Sequence, residues 1–231
     1  MNIVLRNERA KDYTEVEILT REAFWNNYAP GCVEHYLVNI MRDCEGFIPE
    51  LDIVAVDTDA DDIIVGNLMC VKSYISCDEK GADDDSENND GNKYEIVTLG
   101  PISVLPEYQN KGVGAMLLTR CREKATELGY NAIILCGDPD YYSRHGFVPA
   151  EKYCIRNAEN MFMDALQVCE LKEGSLSGVS GIYIENSIYN IDPEKVNEFD
   201  KNFPPKEAIA GIKMQKRFEE LAGKVKPFKF K

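Results

Sequence analysis

The sequence of 231 residues holds two histidines, one tryptophan and no cysteine pair in CxxC spacing. Without histidine clusters or paired thiols a zinc or other structural metal has no ligand set, so no metal is expected. The eight cysteines (32, 44, 70, 77, 121, 136, 154 and 169) include several inside apolar runs such as Ile133-Ile134-Leu135-Cys136, and they read as buried thiols. Long apolar runs are also missing: no stretch approaches the roughly 18 residues that a membrane span requires. Met1 to Arg9 is charged and lacks an apolar h-region, so a cytoplasmic location away from membranes is expected. Positive charge is scarce, with 26 Lys and Arg against 40 Asp and Glu and a formal charge of −14. Such a surface repels phosphate backbones, which argues against nucleic-acid partners and in favour of cationic substrates. Residues 78–90 carry seven acids against Lys80 alone, and the segment 77–93 reads as an enlarged, solvated acidic loop.

What is present is an ordinary globular composition with 44% hydrophobic residues and a clear succession of patterns. Ile3 to Arg6 predicts a strand, and Asp12 is placed to cap a helix carrying Val16, Leu19, Ala23 and Phe24 at three- and four-residue spacing. A second helix is predicted over 33–41, strands over 52–56, 63–76 and 94–104, and a helix over 112–128 that Gly129 terminates. Ala132 to Cys136 is a continuous apolar run, as in a strand with a parallel neighbour and both faces covered. Gly100-Pro101 interrupts the strand before it, because proline donates no ladder hydrogen bond. Further on, the pattern predicts strands over 162–171 and 182–188 and a last helix starting at Pro204-Pro205.

The chemistry concentrates in one run, Leu99-Gly100-Pro101-Ile102-Ser103-Val104-Leu105-Pro106-Glu107-Tyr108-Gln109-Asn110-Lys111-Gly112-Val113-Gly114-Ala115. Its order is strand, turn, helix. Glycines 112 and 114 remove the Cβ where a ligand approaches, the free N–H groups of the helix start suit a pyrophosphate, and Lys111 adds charge. Neither a Walker loop nor a GxGxxG dinucleotide fingerprint fits this spacing. The pattern Gln-x-x-Gly-x-Gly-Ala after an apolar strand resembles the coenzyme A signature of the GNAT acyltransferase superfamily. A second segment, Tyr141-Tyr142-Ser143-Arg144-His145-Gly146-Phe147, resembles the same family's Phe/Tyr-Tyr-x-Arg/Lys-x-Gly-Phe element. With Gly137-Asp138-Pro139 before it, the chain is similar to a bacterial subset of predicted N-acetyltransferases.

That resemblance implies an α/β (α+β) fold, a GNAT-like mixed and splayed central sheet flanked by helices. It implies acetyl-CoA as cosubstrate and an N-acetyltransferase in which a primary amine attacks the thioester directly. The backbone of Ile102, Ser103 and Val104 would pair with the pantetheine arm, and Gln109, Asn110, Lys111, Gly112, Val113, Gly114 and Ala115 would hold the pyrophosphate. Tyr142 would be the general acid for the departing thiolate, with Tyr141 packing on the core. Histone-type members place a glutamate base on the fourth strand; the matching position here is Thr98, which cannot serve. Glu95, Glu22, Glu34 and His35, or a water chain in place of a side chain, remain as base candidates, Cys136 reads as a buried small hydrophobe, and His145 as a surface or packing residue. The acyltransferase domain is expected over residues 1–150 and a C-terminal extension that completes the sheet and ends in a helix over 151–231. The acceptor, a small molecule or peptide amine, and a homodimer are left open by these residues, and the alternative is a catalytically silent acyl-CoA-binding sensor or regulatory module.

Overall fold

A computed structural model describes residues 1–78 and 93–229. Residues 79–92, which hold most of the acidic segment, lie outside those residues, and the loop expected there lies outside with them. In chain order the elements are β1 (Ile3–Asn7), α1 (Tyr13–Phe24), α2 (Glu34–Met41), β2 (Ile53–Asp57), β3 (Ile63–Cys77), β4 (Lys93–Val104), α3 (Val113–Glu127), β5 (Ala132–Cys136), α4 (Pro139–Tyr142), β6 (Val148–Pro149), β7 (Ile155–Arg156), β8 (Met161–Met163), β9 (Leu166–Glu170), β10 (Gly181–Ile184), α5 (Pro193–Asp200), α6 (Lys213–Ala222) and β11 (Val225–Pro227). A mixed sheet with helices is the architecture implied by the sequence. The chain forms two compact units, one of Met1–Val71, Leu99–Lys124 and Ser187–Phe218, the other of Lys72–Thr98, Ala125–Asn186 and Glu219–Lys231.

In the first unit β1 pairs antiparallel with β2 from Ile3↔Asp57 to Asn7↔Ile53, and β2 pairs antiparallel with β3 from Ile53↔Leu68 to Asp57↔Ile63. The helical spacing of α1 and α2 places Val16, Leu19, Leu37, Val38 and Met41 together, packed on Val54, Val56, Ile64, Met69 and Val71 of the strands. Each such aliphatic side chain taken from water contributes about 1.5–3 kcal/mol. Asp12 precedes α1 as expected but does not cap it with its side chain. Its carboxylate instead accepts from Arg6 Nη1 at 2.6 Å and from the Arg9 N–H at 2.8 Å. Burial pushes its pKa up, but these two partners outweigh that and hold it below the usual value.

His35 of α2 is fully buried, its ring 5.5 Å from that of Phe199 and 5.3 Å from that of Phe203, with Nε2 3.1 Å from Asp200 Oδ1. Burial lowers its pKa to about 4; the Asp200 carboxylate resists this and the Arg21 guanidinium adds to it. The ring is neutral at pH 7. Because the folded value lies below the unfolded one, the unfolded chain takes up the proton first. Stability from His35 is therefore full above the unfolded pKa and declines as pH falls toward 4. Between pH 7 and pH 5 the loss is about 2 kcal/mol. His35→Gln should flatten urea-unfolding stability over that interval by this amount. An unchanged difference between the two pH values would remove His35 as its origin.

In the second unit β5 pairs parallel with β4 at Val97↔Ile133 and Thr98↔Ile134, and antiparallel with β9 from Ala132↔Glu170 to Cys136↔Leu166. This ladder with β4 stops two residues before Gly100. β6 pairs with β9, while β10 runs antiparallel to β3 from Gly181↔Cys77 to Ile184↔Tyr74 and parallel to β7. Ile75, Ile96, Ala132, Ile134, Leu166, Val168 and Tyr183 form its core. The apolar run of β5 is buried on both faces up to Leu135, as its sequence predicts.

The last third departs from the expected elements: β7 is additional, and the strand β11 follows the final helix where the extension is expected to end in a helix. The strand expected over 162–171 is two, because the chain turns at Asp164, whose N–H donates to Lys224 O (3.1 Å), and β8 pairs with β11 instead. The strand expected over 182–188 ends at Ile184, and a 3-10 turn follows over Ser187–Tyr189. Helix α5 is an additional element, which Asp192 caps by accepting from the Glu194 N–H (2.9 Å) and in which Pro193 sits at the first turn. The final helix starts at Lys213 and not at Pro204. Backbone groups of the intervening residues find side chains instead: Trp25 Nε1 and Asn26 Nδ2 donate to Glu207 O, and the Ile209 N–H donates to Asn26 Oδ1. Among the described residues, no helix is long and apolar enough to cross a membrane.

Candidate active site

The turn singled out by its glycines lies in the first unit. Asn110 (φ 59°) and Gly112 (φ 89°) both take the left-handed conformation, which brings the chain sharply round from β4 into α3. Open space surrounds the position where a Cβ on Gly112 would stand. The first intrahelical bond runs from the Met116 N–H to Gly112 O (3.0 Å), so by helix geometry the amides of Val113, Gly114 and Ala115 have no acceptor within the helix. Gln109 Nε2 donates to Val104 O (3.1 Å) and ties the turn to the strand end, while Lys111 Nζ lies 5.3 Å from the Tyr108 ring centroid. Pleating alternates the strand before it: Ser103 points inward and donates to Thr20 Oγ1 (3.2 Å), whereas Ile102 and Val104 are half-buried on the other side. Gly66 permits close packing here, since a Cβ would stand 3.0 Å from Ser103 O and 3.1 Å from Val113 Cγ1.

Tyr142 belongs to the second unit, at the end of the short helix α4. Asp138 caps that helix by accepting from the Asp140 N–H (2.9 Å), and Pro139 supplies its preset φ. The Tyr142 ring is half-buried, 5.6 Å from Phe147 and 5.0 Å from Tyr141, and a Cβ on Gly137 would collide with it. Glycine at the end of β5 thus makes the place for this tyrosine. Tyr141, expected against the core, is 40% exposed and packs on Tyr142 and His145.

Thr98 is buried and occupied. It donates to Ser73 Oγ at 2.7 Å and lies 2.7 Å from the Tyr183 hydroxyl. Burial raises the Tyr183 hydroxyl pKa, and the Glu185 carboxylate adds to the rise. Cys136, expected as a buried hydrophobe, is exposed, because it is the residue at which β5 emerges from its covered stretch. The protein mass around its sulfur, and then the Glu185 carboxylate, push that thiol up to about 11. Of the other cysteines, 70, 121 and 169 are buried as expected, and Cys154 is exposed.

The remaining base candidates have other partners. Glu22 accepts from Lys206 Nζ (2.5 Å), Glu34 from the Cys32 thiol (3.3 Å) and the Val33 N–H (3.1 Å), and His35 faces Asp200. Glu95, three residues before Thr98, points to the opposite face of β4 and lies 3.9 Å from Lys72. There it lines a shallow pocket of about 190 Å³ with Lys72, Ser73, Tyr74 and Lys93. Ser73, Tyr183 and Glu185 are site residues that the sequence does not single out; Glu185 lies within the strand expected over 182–188 and just past the observed β10, and which strands that one joins is not written locally.

Residues 53–149 match the model of the acetyltransferase (GNAT) domain. Over 188 residues, 81% of this chain and 99% of the relative, the sequence is 26% identical to the uncharacterized N-acetyltransferase YhbS of Escherichia coli strain K12. A shorter stretch of 51 residues, 22% of this chain and 28% of the relative, is 41% identical to the uncharacterized N-acetyltransferase YjhQ of the same strain. Among solved structures, the GNAT family N-acetyltransferase YhbS from Escherichia coli in complex with CoA is similar with a TM-score of 0.69 at 23% identity, over 83% of this chain and 93% of that one. A GNAT family acetyltransferase from Brucella melitensis in complex with acetyl-CoA gives 0.61 at 21% identity, over 81% and 98%. These two likenesses concern the fold, and the family model concerns the domain itself. Over residues 53–149 the chain is thus similar to the acetyltransferase domain of the GNAT family, and over the wider chain the likeness is one of fold.

Proposed function

We propose that the protein transfers an acetyl group from acetyl-CoA to a primary amine by direct attack, with Tyr142 as general acid. The observation that carries this reading is the left-handed turn at Asn110 and Gly112, which opens α3 with amides that have no helical acceptor. Gln109, Asn110, Lys111, Gly112, Val113, Gly114 and Ala115 hold the pyrophosphate, and the backbone of Ile102, Ser103 and Val104 pairs with the pantetheine arm as a further strand would. The Ser103 side chain is engaged inward with Thr20, so its role toward the cofactor is that of its backbone. The relatives solved with CoA and acetyl-CoA support the choice of donor. The donor supplies an activated thioester, and a backbone N–H near Ile102 stabilises the oxyanion that forms on attack. The acyltransferase domain comprises residues 1–150, and residues 151–231 extend it.

A second reading, an acyl-CoA sensor without turnover, is favoured by Thr98, whose hydroxyl is engaged with Ser73 and Tyr183 where a carboxylate base would be needed. Calorimetry with coenzyme A and thiol release from acetyl-CoA across polyamines, aminoglycosides, amino acids and peptide N-termini separate the two. Binding with thiol release on at least one amine is the expected result. Binding with silence across the panel establishes the sensor, and no affinity for coenzyme A overturns both.

A further inference from the structure

An amine that attacks a thioester must first lose its ammonium proton, and the position that carries a base in histone-type members is Thr98 here. The same face of the second unit offers a carboxylate from another strand. Extending the β10–β3 register beyond Ile184↔Tyr74 sets Glu185 opposite Ser73, and strand alternation puts Glu185 on the face of Tyr183. On that face Ile75, Ile96, Ala132 and Ile134 form an apolar floor with Tyr183. Two residues further along their strands the floor gives way to Thr98 after Ile96 and to Cys136 after Ile134, with Glu185 after Tyr183. The Tyr183 hydroxyl meets Thr98 at 2.7 Å, and Asn186 Nδ2 donates to Lys72 O (3.1 Å), so the chain is anchored on either side of Glu185. Gly137, which follows Cys136, lies against the Tyr142 ring. The end of β5 therefore brings the proposed acid and this carboxylate to the same edge of one unit.

We propose that Glu185 is the general base that deprotonates the acceptor amine, positioned by the Ser73-Thr98-Tyr183 hydroxyls; this rests on the transferase reading above. Glu185 takes one proton from the ammonium group and passes it to solvent, to which it is open. The amine lone pair forms the C–N bond, the C–S bond breaks with its electron pair on sulfur, and Tyr142 protonates that sulfur. The second proton leaves the new amide nitrogen and restores Tyr142, so one proton is released per turnover. Among the described residues, the titratable groups facing Glu185 are Cys136 on β5 and Tyr183 on its own strand. Glu185 is exposed, but the protein around its carboxylate still raises its pKa above the usual glutamate value, and the Tyr183 hydroxyl opposes the rise. A base of this kind is active once deprotonated, so kcat/KM should rise with pH along a limb above the ordinary glutamate range.

The test uses the full chain, acetyl-CoA and whichever amine of the panel turns over fastest. Glu185→Gln should lower kcat/KM at neutral pH about thirtyfold, less than a sealed general base contributes because water reaches the site, and should abolish the acid limb. Coenzyme A affinity should stay within about twofold, which shows an intact fold. Alkylation of Cys136 by iodoacetamide, followed by peptide mass spectrometry, should quicken in the variant as the neighbouring charge is removed. A variant that keeps the wild-type rate and limb overturns the assignment of Glu185 alone. A wild-type protein that binds coenzyme A but acetylates no amine overturns the transferase reading and this assignment together. Unchanged Cys136 alkylation takes the carboxylate away from the site and overturns the placement.

Discussion

Replacing Tyr142 with phenylalanine should slow the chemical step about a hundredfold while coenzyme A affinity stays within about twofold. The substitution removes one oxygen and keeps the ring, whose packing on Phe147 and Tyr141 and against Gly137 does not involve that oxygen. The change therefore keeps those ring contacts while it removes the proton donor. A thiolate leaving without a proton is a poor leaving group near neutral pH, and an acid within reach contributes about a hundred- to ten-thousandfold. Water at a half-buried position replaces part of this, which places the expected loss at the lower end. Single-turnover rates with the best amine of the panel are the measurement, so that product release does not mask chemistry. An unchanged rate under those conditions removes Tyr142 as the acid.

The parts of the site that are legible in the sequence are those whose chemistry is local. Asn110 to Ala115 announce a left-handed turn and a helix start through their own backbone preferences, and Asp138-Pro139 announces the helix that ends at Tyr142. Asp192-Pro193-Glu194 carries the same signal for α5, masked by the stronger Pro204-Pro205, which starts no helix. Contacts between distant residues are a different matter. Thr98 and Tyr183 are 85 residues apart, and the pairing of β10 with β3 brings them together. Nothing in the local pattern of Ile182 to Ile188 shows which strand it joins, so Ser73, Tyr183 and Glu185 could not be grouped in advance. Cys136 misleads for a related reason: an apolar run predicts burial, but the last residue of a strand is also where the chain leaves the core.

Asp200→Ala should destabilise the protein more than Arg21→Met does, by about 3–5 kcal/mol against about 2–3 kcal/mol. Arg21 donates to Asp200 through Nε (2.7 Å) and Nη2 (3.1 Å), and its side chain is 2% exposed against 27% for Asp200. Loss of the carboxylate strands a guanidinium that water cannot reach, with the Trp25 and Phe203 rings beside it at 4.2 and 5.5 Å. Loss of the guanidinium leaves a carboxylate that is partly hydrated and still has His35 Nε2 3.1 Å away. Arg21 is one of the groups holding the His35 pKa down, so removing it lets the ring accept a proton more readily and supply a replacement cation. The smaller loss in Arg21→Met should therefore shrink further as pH falls from 7 to about 5.5, whereas that in Asp200→Ala should not. Urea unfolding of both variants and the double variant at the two pH values, read as a double-mutant cycle, measures the coupling. Equal losses at both pH values would mean that His35 does not take over from Arg21 and that the asymmetry of burial does not set the order.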